Sequence, residues 1–419
     1  MNRPFPNHQS GLLTFVRTLD PVLIGVILAL TSLGLAAIAS TTNAAAGETG
    51  FLVRQLMFLV IGFGLFSFAA RIDYRTIRPL VPIGFVLTLI VLVAVLGPFG
   101  TTVNGTRGWI RVGGLSVQPA EFAKLAVIAS LALALSRPQG RRYDRMPDPA
   151  TDPRRMMSAL AMLGVVMMLV LAEGETGSVL VYCMVAVAIF FIAGSPPRLL
   201  GLLVVSGVLA FVLAFSSGLL GDHVADRFTS FLDAGADPRG AGYNQIQSVT
   251  AVGSGGLIGQ GIFNGPQTQF GFLPEKQTDF IFAAVGEEAG FVGVLVLLGL
   301  YGLLLRRIFR TAKEASDRFG QLLAIGVFAM VLFQVVQNVG MTIGVLPITG
   351  IPLPLVSYGG SSLLTTLLGL GIVQSVARHR SPSLDPPEQP QVILDHGTNT
   401  GASIITGEQT SPVPLGADA

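Results

Sequence analysis

The longest uncharged stretch of this chain runs from Phe319 to Ala377, 59 consecutive positions without Asp, Glu, Lys or Arg. A helix needs only about 20 apolar residues to cross a bilayer. Prolines and glycines, which end helices, interrupt the run in the segment GVLPITGIPLPLVSYGG. The stretch therefore predicts two membrane-spanning helices joined by a non-helical segment.

The same reading extends to the whole chain, in which 12% of the residues are charged against about 25% in soluble proteins. We therefore expect an all-α integral membrane protein, a polytopic bundle of about ten transmembrane helices with a large extracytoplasmic loop before helix 8. The predicted spans lie near 22–41, 52–70, 79–97, 119–136, 156–172, 176–193, 199–218, 279–305, 319–344 and 360–377. Only AEGETG separates the fifth span from the sixth.

The distribution of basic residues predicts the orientation. Nineteen of the 26 Lys and Arg residues lie in the two tails and the alternate loops on their side, which indicates that both termini are cytoplasmic. The other seven are Arg54, Arg107, Arg111, Lys124, Arg227, Arg239 and Lys276. This gives a cytoplasmic tail over 1–20, a membrane domain over 21–380 with its large outer loop at 219–278, and a disordered cytoplasmic tail over 381–419.

Composition also excludes several classes of site. The first apolar run has full length and no small-residue cleavage pattern, so we expect a retained signal anchor. The single cysteine, Cys183, excludes an intrachain disulfide, and the four histidines are scattered. The glycine-rich run GSGGLIGQGIFNG lacks the lysine of a phosphate-binding loop. We interpret these glycines as backbone flexibility or close packing under a ligand, and we expect no nucleotide.

Four outer features resist a purely structural interpretation. The loop NGTRGWIRVGG holds the only tryptophan, Trp109, between Arg107 and Arg111. These side chains either anchor the loop at the membrane interface or contact a substrate. Glu121 and Lys124, three residues apart in span four, form either a structural salt bridge or part of a polar cavity.

The remaining two features are carboxylates at helix boundaries. Glu173 and Glu175, at the junction of spans five and six, likewise belong either to a structural salt bridge or to a polar cavity. Asp279 is predicted to begin span eight, where the helix dipole would favour a carboxylate even without a functional role. Glu287 and Glu288 follow on other faces of that helix, so at least one should pair with a residue from another helix.

Four long stretches resemble the SEDS family of bacterial envelope polymerases. They are NGTRGWIRVGGLSVQPAEFAKLAVI, DPRGAGYNQIQSVTAVGSGGLIGQG, FLPEKQTDFIFAAVGEEAGFVG and LPITGIPLPLVSYGGSSLLTTLLGLG. The resemblance covers about residues 20 to 380, and the last two stretches are more similar to the rod-shape branch than to the division branch. One departure is EGETGS in place of a usual Gln-Pro-Asp-Leu-Gly-Thr, so that Glu175 matches an aspartate.

This resemblance implies a peptidoglycan glycosyltransferase of the bacterial inner membrane, with its active site facing outward. Such an enzyme polymerises lipid II through β-1,4 linkages, releases undecaprenyl diphosphate, and works with a class B penicillin-binding protein in cell elongation. The chemistry agrees with the location, because a sugar on a lipid diphosphate needs no nucleotide outside the membrane. It requires a general base and positive charge for the departing diphosphate.

The resemblance also assigns roles to residues. Asp279 matches the acidic position of the family and is interpreted as the base for the acceptor GlcNAc 4-hydroxyl in an inverting displacement. Arg107, Arg111 and Lys124 are candidate diphosphate contacts, and Trp109 is a candidate sugar or lipid platform. Glu121 and Glu175 orient Lys124 or hold a divalent cation, Mg²⁺ or Mn²⁺.

Three alternatives stay open at this point: a lipid II flippase or transporter, a division polymerase, and a noncatalytic scaffold. The outward clustering of the charged motifs favours an enzyme, because a transporter would place charges through the midplane. Synthesis of glycan strands from purified components distinguishes a polymerase from a flippase or a scaffold.

Overall fold

A computed structural model of the chain describes residues 18–42, 50–103, 106–112, 115–137, 148–216, 227, 229–233 and 240–379. The described residues belong to one compact unit. Apart from residues 18–20, the predicted tails lie outside the described residues and stay predictions.

Each of the ten predicted spans corresponds to a long helix. The helices are α1 Pro21–Thr41, α2 Gly50–Arg71, α3 Val81–Leu96, α4 Pro119–Leu135, α5 Pro153–Ala172, α6 Thr176–Ala193, α7 Pro197–Ser216, α8 Ile281–Lys313, α9 Arg318–Thr342 and α10 Gly360–Arg378. A helical turn, Tyr74–Ile77, and a short 3₁₀ turn lead into α3.

The predicted class, a polytopic helical membrane protein, is confirmed. Among the described residues, eight helices are long and apolar enough to cross a membrane. Helix α4 has only 17 residues, and the apolar part of α7 that is described covers Pro197–Leu209. The total of ten crossings therefore stays a prediction.

Capping residues explain where several helices begin. The Asp20 side chain accepts hydrogen bonds from the backbone N–H groups of Val22 and Leu23, and Pro21 occupies the first helical position. Asp152 and Pro153 repeat this arrangement at the start of α5. An aspartate followed by proline satisfies free N–H groups while presetting the helical φ angle, so the boundaries follow from local sequence.

Helices α9 and α10 form the centre of the bundle, and most of their side chains are buried. Small residues allow α10 to approach its neighbours: a Cβ atom on Gly371 would stand 2.6 Å from the Phe66 carbonyl oxygen of α2. This dense centre supports the non-helical segment between α9 and α10, where Leu353 and Val356 are buried.

The first predicted outer loop folds as a small antiparallel sheet of β1 Thr101–Val103, β2 Thr106–Val112 and β3 Leu115–Val117, in the order β1-β2-β3. Thr101 pairs with Trp109 across β1 and β2, and the Arg107 N–H donates to the Glu173 carbonyl oxygen at 2.9 Å. The sheet is thereby tied to the turn between α5 and α6.

Helix α8 is broken at Gly290, where the backbone adopts φ 64° and ψ −166°. A short loop, residues 255–263, fills the break; we call it the glycine loop. Its Gln260 N–H donates to the Glu287 carbonyl oxygen at 2.9 Å, and the Phe291 N–H donates to the Gly256 carbonyl oxygen at 2.9 Å. The glycines thus permit close backbone packing against α8.

The two glutamates of α8 anchor neighbouring segments. Glu287 accepts hydrogen bonds from the Thr268 N–H at 2.9 Å and the Thr268 hydroxyl at 2.6 Å, within the short helix Pro266–Gln269. Glu288 accepts one from the Ser40 hydroxyl of α1. The expectation that at least one of them pairs with another helix is confirmed.

The break in α8 gives a first prediction, for Gly290→Ala. Backbone in this region of φ/ψ space is essentially restricted to glycine, and a Cβ atom would stand 2.2 Å from the Gly259 nitrogen. We expect unfolding free energy to fall by at least about 1–3 kcal/mol, measured by thermal unfolding in detergent. Gly299→Ala is the matched control, since a Cβ there meets nothing within 4 Å; an equal loss in both variants would contradict the prediction.

Candidate active site

A polar cavity of about 440 Å³ lies where α4, the turn between α5 and α6, the residues before α8 and the segment before α10 meet. Its lining includes five of the seven predicted site residues: Trp109, Glu121, Lys124, Glu175 and Asp279. Arg107 and Arg111 are exposed on β2 and are not among the lining residues. Arg107 instead donates through Nη2 to the Gly97 carbonyl oxygen at 2.9 Å.

Asp279 lies in the turn before α8, which begins two residues later at Ile281, so its predicted place within the helix is wrong. The surrounding backbone is held from the centre of the bundle. Asn338 Nδ2 of α9 donates to the Asp279 carbonyl oxygen at 2.8 Å, and the Ser357 hydroxyl donates to the Thr278 carbonyl oxygen at 2.5 Å. The carboxyl group is therefore carried on a rigid turn rather than on a free loop.

Burial raises the pKa of Asp279 to about 7, and the neighbouring Glu275 adds to the rise while Arg227 opposes it. A carboxyl group with such a pKa is partly ionised at neutral pH and a stronger proton acceptor than an ordinary aspartate. A carboxyl group with this pKa is chemically suited to act as a general base.

Arg227 is a cavity residue that the sequence did not single out. Its Nη1 donates to the Thr349 carbonyl oxygen at 3.4 Å. A Cβ atom on Gly350 would stand 3.4 Å from Asp279 Oδ2 and 4.0 Å from Arg227 Nη1. Arg227 was counted only as an outward-facing basic residue, and no sequence pattern links it to Asp279.

Glu121 and Lys124 form an ion pair, with Lys124 Nζ 2.5 Å from Glu121 Oε1. Both side chains are buried and both line the cavity. The two interpretations from the sequence are therefore compatible, because one pair is both a salt bridge and part of the cavity wall.

Glu175 and Glu173 have separate environments. Glu175 lines the cavity and accepts hydrogen bonds from Gln118 Nε2 at 2.5 Å and the Ser178 hydroxyl at 2.9 Å. Its pKa is raised by burial and then by Glu121. Glu173 is buried beneath β2, and burial, with Glu175 next, raises its pKa to about 8.

The cavity lining holds four carboxyl groups, Glu121, Glu175, Glu275 and Asp279, and two cationic groups, Lys124 and Arg227. Within the described part of the chain, no three His, Cys, Asp or Glu side chains converge as a metal site. Mg²⁺ is commonly held by one or two carboxylates together with substrate phosphates. The donor set therefore fits a cation shared with a bound diphosphate, not a cage built from protein alone.

A second, smaller cavity of about 280 Å³ is apolar and lies between α3 and α4. Its lining, which includes Ile110, Val117 and Phe122, contains no ionisable side chain. Trp109 faces the polar cavity and Ile110 the apolar one, as expected for successive residues of a strand. Strand β2 thus separates the two cavities.

The fold and the site define a multi-pass membrane protein with a half-buried carboxyl group in a polar, acid-rich cavity. The family model for FtsW, RodA and SpoVE, described as "Cell cycle protein", matches residues 15–382. The chain belongs to this family.

Named relatives are similar over most of their length. The chain is 37% identical to the peptidoglycan glycosyltransferase MrdB of Escherichia coli (strain K12) over 362 residues, 86% of this chain and 94% of the relative. It is 38% identical to the stage V sporulation protein E of Bacillus subtilis (strain 168) over 333 residues, 78% and 87% of the two chains. A probable peptidoglycan glycosyltransferase FtsW of Trichlorobacter lovleyi is 36% identical over 370 residues, 85% and 93%.

Two solved structures share the fold. One, described as "Structural coordination of polymerization and crosslinking by a peptidoglycan synthase complex", has a TM-score of 0.70 and 33% identity, and covers 86% of this chain and 98% of that chain. The other, the rod shape determining protein RodA of Thermus thermophilus, has a TM-score of 0.63 and 32% identity, with 87% and 98% covered.

Proposed function

We propose that this chain is a peptidoglycan glycosyltransferase that polymerises lipid II into β-1,4-linked glycan strands. The observation that carries the proposal is Asp279, a carboxyl group with a raised pKa in a polar cavity that also holds Lys124. Family membership and relatives named as peptidoglycan glycosyltransferases support the same reaction.

In the proposed mechanism, Asp279 accepts the proton of the acceptor GlcNAc 4-hydroxyl. The resulting nucleophilic oxygen forms a bond to the anomeric carbon of the donor as the bond to the lipid diphosphate breaks. Inversion follows from this single displacement, and undecaprenyl diphosphate leaves with its electron pair. We propose that Lys124, a buried cation that lines the same cavity, contacts the departing diphosphate and stabilises its developing charge.

The two cavities suit the two parts of such a substrate. Sugar and diphosphate would occupy the polar cavity, with Trp109 against the sugar, and the apolar cavity beside Ile110 would accept the start of the prenyl chain. Glu175 would help to hold a divalent cation, which would supply positive charge for the departing diphosphate; no nucleotide is required. Arg107 and Arg111 would act only on parts of the substrate outside the cavity.

The orientation in the membrane, the partner and the cellular role are also part of the proposal. Both termini are cytoplasmic and the cavity faces outward in the bacterial inner membrane. The partner is a class B penicillin-binding protein that crosslinks the strands, and the role is in cell elongation and rod shape. Similarity to a chain of a peptidoglycan synthase complex supports the partner class.

The deciding experiment combines the purified full-length protein with lipid II in detergent and measures glycan strands by gel electrophoresis. Strand formation supports the polymerase. Translocation of lipid II across proteoliposomes without strand formation would instead identify a flippase, and neither activity would identify a scaffold.

The pH dependence of the reaction follows from Asp279, which must be ionised to accept a proton. We expect kcat/KM to fall as pH drops through about 7, approaching a tenfold loss per pH unit at the acidic end. Initial rates at low substrate measure it. Because Glu275 raises the pKa of Asp279 and Arg227 lowers it, Glu275→Gln should move the acidic limb to lower pH and Arg227→Gln to higher pH; shifts of the same sign would contradict the assignment.

A further prediction separates the two neighbours on β2. Trp109→Ala removes a cavity-lining side chain, so kcat/KM should fall by about tenfold or more, which corresponds to about 1.4 kcal/mol. Arg107→Ala, outside the cavity lining, should cost less activity. Melting temperature measured in parallel distinguishes substrate contact from anchoring: equal losses of stability and turnover in Trp109→Ala would favour the anchor.

A further inference from the structure

The predicted large outer loop, residues 219–278, contains a long uncharged stretch. Residues 240–274 include no Lys, Arg, Asp, Glu or His. In a soluble segment, about a quarter of the residues would be charged. This composition resembles that of the membrane helices more than that of an aqueous loop.

The glycine loop, within that stretch, exposes large apolar side chains. The exposed fractions are 73% for Leu257, 83% for Ile258, 60% for Ile262 and 57% for Phe263. Four such side chains on nine residues form an apolar surface that water would solvate poorly.

This surface continues onto α8. The Val292 N–H donates to the Leu257 carbonyl oxygen at 3.1 Å, which places the exposed loop side chains beside Phe291 and Val292. Both of these helix residues are themselves exposed, as is Leu295 one turn further on. In a membrane-spanning helix, exposed apolar side chains of this kind face lipid.

The depth of the contact follows from the basic end of α8. Arg306 and Arg307 end its apolar part, and about 20 helical residues cross the hydrocarbon layer. The uninterrupted helix from Phe291 to Arg306 rises about 22 Å, so in a hydrocarbon layer about 30 Å thick Phe291 lies about 8 Å inside the opposite boundary.

We propose that the glycine loop lies within the hydrocarbon layer on the cavity side of the membrane, with Leu257, Ile258, Ile262 and Phe263 in contact with lipid acyl chains. The occupant of the apolar surface is therefore lipid, not water and not a partner protein. This inference does not depend on the proposed reaction.

Backbone hydrogen bonds allow the glycine loop to lie in the hydrocarbon layer. Irregular backbone is excluded from hydrocarbon because its polar groups lack partners. Here the N–H groups of Gly259, Gln260 and Gly261 donate to the carbonyl oxygens of Gly255, Glu287 and Glu288, at 2.8, 2.9 and 3.0 Å. The Phe263 N–H donates to the Ser40 hydroxyl at 3.2 Å. The break in α8 supplies two of these four acceptors, the carbonyl oxygens of Glu287 and Glu288.

The test uses tryptophan as a depth probe, because Trp109 is the only tryptophan in the chain. The full-length Trp109→Phe/Ile258→Trp variant is reconstituted without partners in nanodiscs of phosphatidylcholine carrying brominated acyl chains. We expect strong quenching of its fluorescence by the brominated lipid and little quenching by aqueous iodide. Trp109→Phe/Phe263→Trp repeats the measurement with a conservative aromatic exchange.

Two comparators calibrate the result. Trp109→Phe/Leu295→Trp reports a lipid-facing site on α8, and the wild-type protein reports Trp109 on the sheet. Quenching of the loop probes that is closer to the value at position 295 supports the proposal. Quenching closer to that of Trp109, with iodide accessible, would overturn it and show a surface left in water for a protein partner.

Discussion

Asp279→Asn is expected to abolish polymerisation of lipid II while leaving the fold and membrane insertion intact. The amide has almost the same shape but cannot accept the proton of the attacking hydroxyl. Loss of a general base costs about 10²–10⁴-fold, so glycan strands should be undetectable in a gel assay.

The structure predicts that this exchange is tolerated by the fold. The side chain of Asp279 does not cap α8, whose N-cap residue is Phe280 without a side-chain cap. Burial already favours the uncharged form of the carboxyl group, as its raised pKa shows, and an amide is uncharged at every pH. Melting temperature should therefore change little, and Asp279→Glu should recover part of the activity. More than a tenth of wild-type strand synthesis in Asp279→Asn would remove this residue from the base role.

The second large effect concerns the buried ion pair of Glu121 and Lys124. Glu121→Gln or Lys124→Met alone leaves one buried charge without its partner, which costs about 3–5 kcal/mol. The double variant contains no uncompensated charge, so its melting temperature should return towards that of the wild type. Because Lys124 also lines the cavity, we expect the double variant to be stable and still inactive.

An ion pair away from the site provides the control. Arg310 Nε lies 2.7 Å from Glu314 Oε1 in an exposed position, where removing either partner should cost about 0–1 kcal/mol and no activity. Recovery of strand synthesis by the Glu121→Gln/Lys124→Met variant would return Lys124 to a purely structural role.

The helical framework could be predicted because its signals are local. Aspartate followed by proline marks the starts of α1 and α5, and AEGETG alone correctly separates α5 from α6. Each of these boundaries depends on a few adjacent residues and on the length that a membrane requires.

Other features depend on residues distant in sequence and could not be predicted in this way. The break in α8 at Gly290 is filled by a loop some 30 residues earlier in the chain. The apolar pattern of the helix therefore predicted one continuous span and no break. Arg227 and Asp279 both lie beside Gly350, although they are far apart in sequence. Spacing did place Glu121 beside Lys124. Neither charge nor strand alternation indicates that Arg107 and Arg111 lie outside the cavity lining, because alternation puts both on the same face of β2 as Trp109.

The support around Asp279 has a consequence for how the protein is made. The turn that carries the carboxyl group is held by Asn338, Ser357 and Tyr358, the last through its N–H to the Gln277 carbonyl oxygen at 2.8 Å. All three residues emerge from the ribosome well after Asp279, and Ser357 itself is held through its carbonyl oxygen by Gln55 of α2. A nascent chain that has inserted only its first eight helices therefore lacks the residues that hold the turn of Asp279. The support of this turn is complete only once the last two helices have been synthesised.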